Sequence, residues 1–69
     1  MYKYFSTQRP ISIGTFPKST DNRVIAIENF NNRKYVDEIG REAWGLIKYE
    51  KPLSDKQINE YELVKAKGE

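Results

Sequence analysis

Sixty-nine residues, 12 of them Lys or Arg and 10 Asp or Glu, make a single small domain, 1–69, with a formal net charge of +2 at pH 7. The chain has no histidine and no cysteine, which excludes disulfides, thiol redox centres, Cys or His zinc sites and any Cys–His or Ser–His–Asp catalytic set. A core this short supplies only about 3–5 kcal/mol of net stability, so aromatic burial, good caps or a second copy must support it.

The first element is a strand over 1–7. Tyr2, Tyr4 and Ser6 alternate with Lys3, Phe5 and Thr7, and β-propensity is high. Arg9-Pro10 interrupts it, because proline removes a donor and biases the preceding residue toward extended geometry. Residues 8–22 form a loop, with turn chemistry at Pro10, Gly14, Pro17 and Ser19-Thr20-Asp21-Asn22. Ile11, Ile13 and Phe16 imply that this loop is packed down, and loops of such length are often functional.

Residues 23–30 form the clearest strand, rich in β-branched side chains, with Asn29, Asn31 and Asn32 marking the turn that ends it. Residues 33–42 are ambiguous. Tyr35, Val36, Ile39 and Ala43 fit a short helical face that Gly40 weakens, so a turn of helix or an irregular connection is expected. A strand follows over 42–50, where Gly45 signals a bulge or a close backbone approach.

Pro52-Leu53-Ser54-Asp55-Lys56-Gln57-Ile58 carries the best local signal. Ser54 is an N-cap with Gln57 at the third helical position, a capping box. Leu53 and Ile58 flank it as a hydrophobic staple, and Asp55 complements the helix dipole. The helix is placed at 55–62. Tyr61-Glu62-Leu63-Val64 continues it or turns into a short last strand, and 65–69 is a frayed tail.

Charge is spread unevenly. Residues 1–34 carry Lys3, Arg9, Lys18, Arg23, Arg33 and Lys34 against Asp21 and Glu28, whereas acids outnumber bases over 35–69. A basic face for an anionic partner is the sharp reading, and a mildly dipolar surface the plain one. Asp37, Glu38 and Glu42 resemble a carboxylate group for a hard cation or acid–base work, but charge runs usually solvate a surface. Tyr2-Lys3-Tyr4-Phe5 with Arg9 interleaves rings and cations as single-strand nucleic-acid sheets do, although a small sheet needs such rings for its own core. Trp44, the sole tryptophan, is read as core first and interface anchor second. No Gly-rich phosphate loop is present. No apolar run spans a bilayer and the N-terminus lacks a secretion signal, so a cytoplasmic protein without membrane contact is expected.

Tyr4-Phe5-Ser6-Thr7-Gln8-Arg9-Pro10 with Gly14-Thr15-Phe16-Pro17, Gly40-Arg41-Glu42-Ala43-Trp44-Gly45, and Pro52-Leu53-Ser54 through Tyr61-Glu62-Leu63 cover nearly the whole chain. Together they resemble small bacterial proteins similar to the domains associated with large polyvalent proteins of phages and conjugative elements. The resemblance implies a mobile-element setting and an accessory, non-enzymatic role. It assigns no functional residue.

The expectation is an α+β domain: a small antiparallel sheet of three or four strands with one C-terminal helix packed on it. The expected function is a non-enzymatic protein-binding accessory module without cofactor or metal. Arg9, Phe16, Lys18, Arg33, Arg41 and Trp44 are its candidate partner-binding residues. The alternative is a single-stranded nucleic-acid-binding protein using Tyr2, Lys3, Tyr4 and Arg9. A homodimer also fits, since a small core gains from burying a sheet edge.

Overall fold

The computed structural model of the chain describes residues 2–12 and 14–66. Its elements are β1 (Tyr2–Ser6), β2 (Val24–Val36), β3 (Arg41–Tyr49), α1 (Asp55–Glu60) and β4 (Leu63–Lys65). The strands pair antiparallel in the order β2-β3-β1-β4. The α+β class with a small antiparallel sheet and one short C-terminal helix is as the sequence implies.

β1 is central, so its alternation feeds two cores. Tyr4 lies opposite Ile47 and Phe5 opposite Leu46, and the two rings are 0% and 2% exposed. On the first side Tyr4, Ile47, Tyr49 and Leu63 pack with Ile11 and Leu53 from the irregular segments. Tyr4 and Tyr49 meet edge to face, with ring centroids 6.0 Å apart. On the second side Phe5, Ala43 and Ala66 are enclosed by Phe30, Val36, Ile39 and Leu46. The far end of the β2–β3 hairpin therefore folds back over β1, and Lys3 Nζ reaches Glu38 Oε1 at 2.8 Å to tie it there.

The packed loop over 8–22 is held by polar pins as well as by apolar burial. The Asn29 side-chain amide brackets the Ile11 peptide: its Oδ1 accepts from the Ile11 N–H and its Nδ2 donates to the Ile11 carbonyl, both at 2.8 Å. The Tyr49 hydroxyl donates to the Pro17 carbonyl at 2.6 Å. The Tyr4 hydroxyl accepts from the Leu53 N–H at 2.8 Å. Both tyrosines thus bury a ring and spend their polar tip on otherwise orphaned backbone groups. Asn22 brackets the Lys51 peptide in the same two-bond manner as Asn29, at 2.8 and 2.7 Å. Ile13 lies outside the described residues.

Gly45 is opposite Asn29. A Cβ there would stand 2.5 Å from the Glu28 carbonyl and 2.8 Å from Asn29 Oδ1. Only glycine lets Asn29 lie across β3 and reach Ile11. The register then slips between Asn29 and Lys34, which pairs with Ala43. This is the irregularity that Gly45 announced in the sequence.

Several sequence expectations are corrected. The strand expected over 23–30 does not end at the asparagines. It runs on to Val36, because Asn29 turns inward to the loop and the register slip absorbs the residues after it. Of residues 33–42, Arg33–Val36 remain in β2, and the expected turn of helix is confined to the reversal at 37–40, a single α-turn in which the Gly40 N–H bonds the Val36 carbonyl at 2.9 Å with φ +67° at Gly40. The strand expected over 42–50 is Arg41–Tyr49. The helix stops at Glu60, two residues before the expected end. Glu62 then takes a left-handed φ of 55° and redirects the chain into β4. Lys65 belongs to β4, and Ala66 is buried with its N–H on the Lys3 carbonyl at 3.0 Å, so neither frays. Met1 and the rest of the expected tail, 67–69, lie outside the described residues.

The helix start is as the sequence implies. Ser54 Oγ accepts from the Gln57 N–H at 3.2 Å, and Gln57 Oε1 accepts from the Ser54 N–H at 3.1 Å. No residue of α1 is fully buried. Instead Leu53 is buried in the first core and Ile58 packs against that core, which anchors the helix beside β4.

Candidate functional site

Trp44 is the residue around which the hairpin is distorted. Its neighbours Gly45 and Ala43 pair with Asn29 and Lys34, so Trp44 alone spans the stretch Phe30–Arg33 of β2. The slip brings Arg33 over the indole, with the guanidinium carbon 5.9 Å from the ring centroid. Arg33 Nε also faces Glu42 Oε1 at 3.4 Å. Both charged side chains are more than half exposed, so this pair positions Arg33 without adding much stability. Trp44 is half-buried and lies outside both buried clusters, which corrects the reading of it as core. The slip leaves one indole face available to a cation instead of to the sheet's own interior.

The other candidates are dispersed. Phe16 packs against the first core, with Lys18 Nζ 5.5 Å from its ring centroid. Arg9 pairs with Glu62, joining the loop to the end of α1. Arg41 is exposed at the start of β3, opposite Val36. The fold brings Arg33 to Trp44 and Lys18 to Phe16, and it leaves Arg9 and Arg41 apart from both pairs.

The set proposed for nucleic acid is not presented as a platform. Tyr4 is buried and its hydroxyl is engaged by Leu53. Tyr2 packs against the first core, Lys3 is tied to Glu38, and Arg9 to Glu62. The carboxylates are likewise separated: Glu38 serves Lys3 and Glu42 serves Arg33. Among the described residues no group of three acidic side chains is placed to hold a metal ion, and no helix is long and apolar enough to cross a membrane.

A groove of about 380 Å³ runs between the folded-back hairpin and β1, lined among others by Phe5, Phe30, Leu46, Lys3, Lys34 and Glu38. Lys3 lies 5.5 Å from the Phe5 ring centroid and Lys34 5.5 Å from that of Phe30, and the carboxylates of Glu28, Asp37 and Glu38 share the lining with them, so the groove's rim carries both signs of charge. Burial pushes the Tyr49 hydroxyl pKa well above its ordinary value, with Tyr61 and Tyr4 adding to the shift. That phenol stays protonated and serves as a structural donor.

Sequence reasoning missed the exposed apolar edge of β2, where Ile25 and Ile27 are 46% and 44% exposed. The signal was present as Val24-Ile25-Ala26-Ile27, four uncharged residues between Arg23 and Glu28. Those residues identify a strand, but nothing in composition marks a strand as an edge.

Comparison with curated proteins and with solved structures yields no match. The model of the Defence against restriction A C-terminal family matches residues 1–68. The mobile-element setting implied by the resemblance is thereby given a definite family: the chain belongs to the Defence against restriction A C-terminal family, a phage- and mobile-element-associated domain.

Proposed function

We propose that the chain is a non-enzymatic protein-docking module that serves a phage or mobile-element system for defence against restriction. The observation that carries this reading is the half-buried Trp44 held under Arg33 on the distorted hairpin. Tryptophan and arginine dominate binding hot spots, because they bury large area while keeping a polar or cationic handle. Here Arg33 is held beside the indole by its contact with Glu42, so part of the arrangement is formed before docking. The family supports the setting and leaves the protein partner to be identified.

Trp44 is the sole tryptophan, so its fluorescence reports on the site directly. Capture from cells carrying the encoding element supplies the partner, and titration of that partner is expected to shift Trp44 emission. Trp44→Ala and Arg33→Ala should each weaken binding at least about tenfold, with the domain still folded by circular dichroism. Unchanged emission at saturation, together with unaltered capture by Trp44→Ala, would remove this surface from the interface.

A further inference from the structure

We propose that the bowed part of β2 docks an extended segment of the partner protein, one that carries a large apolar side chain and, two positions away, a carboxylate. This names the partner's chemistry for the docking function above. It rests on that reading through Arg33, which covers the indole and also lines the site. Phe30–Arg33 of β2 lies opposite Trp44 alone, so the strand bows outward there. The bow encloses a second hollow of about 450 Å³, beside the groove of about 380 Å³. The two share Glu28, Phe30 and Lys34 as a common wall, so they adjoin.

The hollows differ in chemistry. The first has Phe5, Leu46 and Val36 in its lining, and its rim sets Lys3 and Lys34 against three carboxylates. Lys3 is already paired with Glu38, so nothing there favours an anion. Phe30 and Leu46 are only half-buried, and an apolar side chain laid on them takes their remaining surface out of water. The second hollow sets Arg33 and Lys34 against Glu28 alone, and the exposed amides of Asn31 and Asn32 line it as well. Among the described residues Lys34 forms no ion pair. Cations and amide N–H groups together suit a carboxylate, which accepts from several donors at once. In an extended chain, side chains two positions apart share one face about 6.6 Å from each other, so one can enter each hollow. A nucleic-acid strand fits the pair less well. It carries a charge at every nucleotide and would bring phosphate against Glu28, Asp37 and Glu38 of the first hollow. A peptide can present charge to one hollow and none to the other.

Titration of the whole chain with acetyl-Ser-Leu-Ser-Asp-Ser-amide up to about 10 mM, followed by amide chemical shifts, tests it. The shifts should fall on Phe30–Lys34 and Leu46. Replacing the peptide's Asp by Asn, or its Leu by Ala, should weaken binding at least about fivefold. Lys34→Glu should weaken the Asp peptide and favour a peptide with Lys in place of Asp. Lys34 is exposed, so this variant should fold as the wild type does, by circular dichroism. Equal affinity for all of these peptides, or no shift at the highest concentration, overturns the proposal. So does an oligothymidylate that binds the same amides more tightly, which would assign the site to nucleic acid. Capture lost in Trp44→Ala without any peptide preference would leave the docking surface standing and overturn this chemistry. A peptide preference that persists while Trp44→Ala leaves capture unaltered would support the two hollows and exclude the indole from the interface.

Discussion

Tyr4 and Tyr49 do more than fill the first core, because each hydroxyl closes a backbone account that the apolar packing would leave open. Tyr49 donates to Pro17 and Tyr4 accepts from Leu53, so the packed loop and the segment before the helix are both fastened to central strands. The raised pKa of Tyr49 has a consequence for alkaline stability. Its phenol ionises in the unfolded chain at about pH 10 but resists ionisation when folded. The native state then holds the extra proton, so the contribution to stability is fully present below about pH 10 and is lost as pH rises beyond it. Tyr49→Phe should lower the melting temperature at pH 7, by removing the partner of the Pro17 carbonyl, and should flatten the fall in stability as pH rises above about pH 10. Thermal melts of both proteins across that range are the measurement. An equal alkaline loss in the two would assign the effect to other groups.

At the scale of elements, the capping box and staple determine where the helix begins. Ser54→Ala removes the bond to the Gln57 N–H and should cost about 0.5–2 kcal/mol. Leu53 is 8% exposed and belongs to the first core, so Leu53→Ala should cost about 2–5 kcal/mol. The double variant should be largely unfolded near body temperature, given a reserve of about 3–5 kcal/mol. The two sites are adjacent, so a full cycle of single and double variants is needed to read their coupling. Urea titrations followed by circular dichroism supply all of these values. A Leu53→Ala protein as stable as the wild type would mean that Leu53 does not anchor the helix to the core.

Across the whole molecule, the strand order places first and last segments together. β1 lies between β3 and β4, so the sheet is not complete until Leu63–Lys65 has paired with Tyr4–Ser6. Central strands with both neighbours in place should resist opening most. Amides of Tyr4, Phe5, Leu46 and Ile47 should therefore exchange slowest, and those over Val24–Asn29 faster. Native-state hydrogen exchange measures this directly. Uniform rates across β1 and β2 would contradict a hierarchy set by position in the sheet.

By itself the sequence determined the α+β class, the strands of β1 and β3, the packed loop and the helix start, because these depend on local chemistry. Alternation, a proline, a serine three residues before a glutamine and an isolated glycine each act over a few positions. It also singled out the close approach at Gly45 without identifying Asn29 as the cause. Tertiary structure alone decided that Asn29 would turn to Ile11 and let β2 continue to Val36, since that bond joins residues eighteen apart in the chain. It decided likewise that Trp44 would stand half-buried under Arg33, and that Tyr4 would be buried while Ile25 and Ile27 were left at the surface. Burial and edge position follow from strand order, and strand order comes from pairing segments as distant as β1 and β4, which no local pattern encodes.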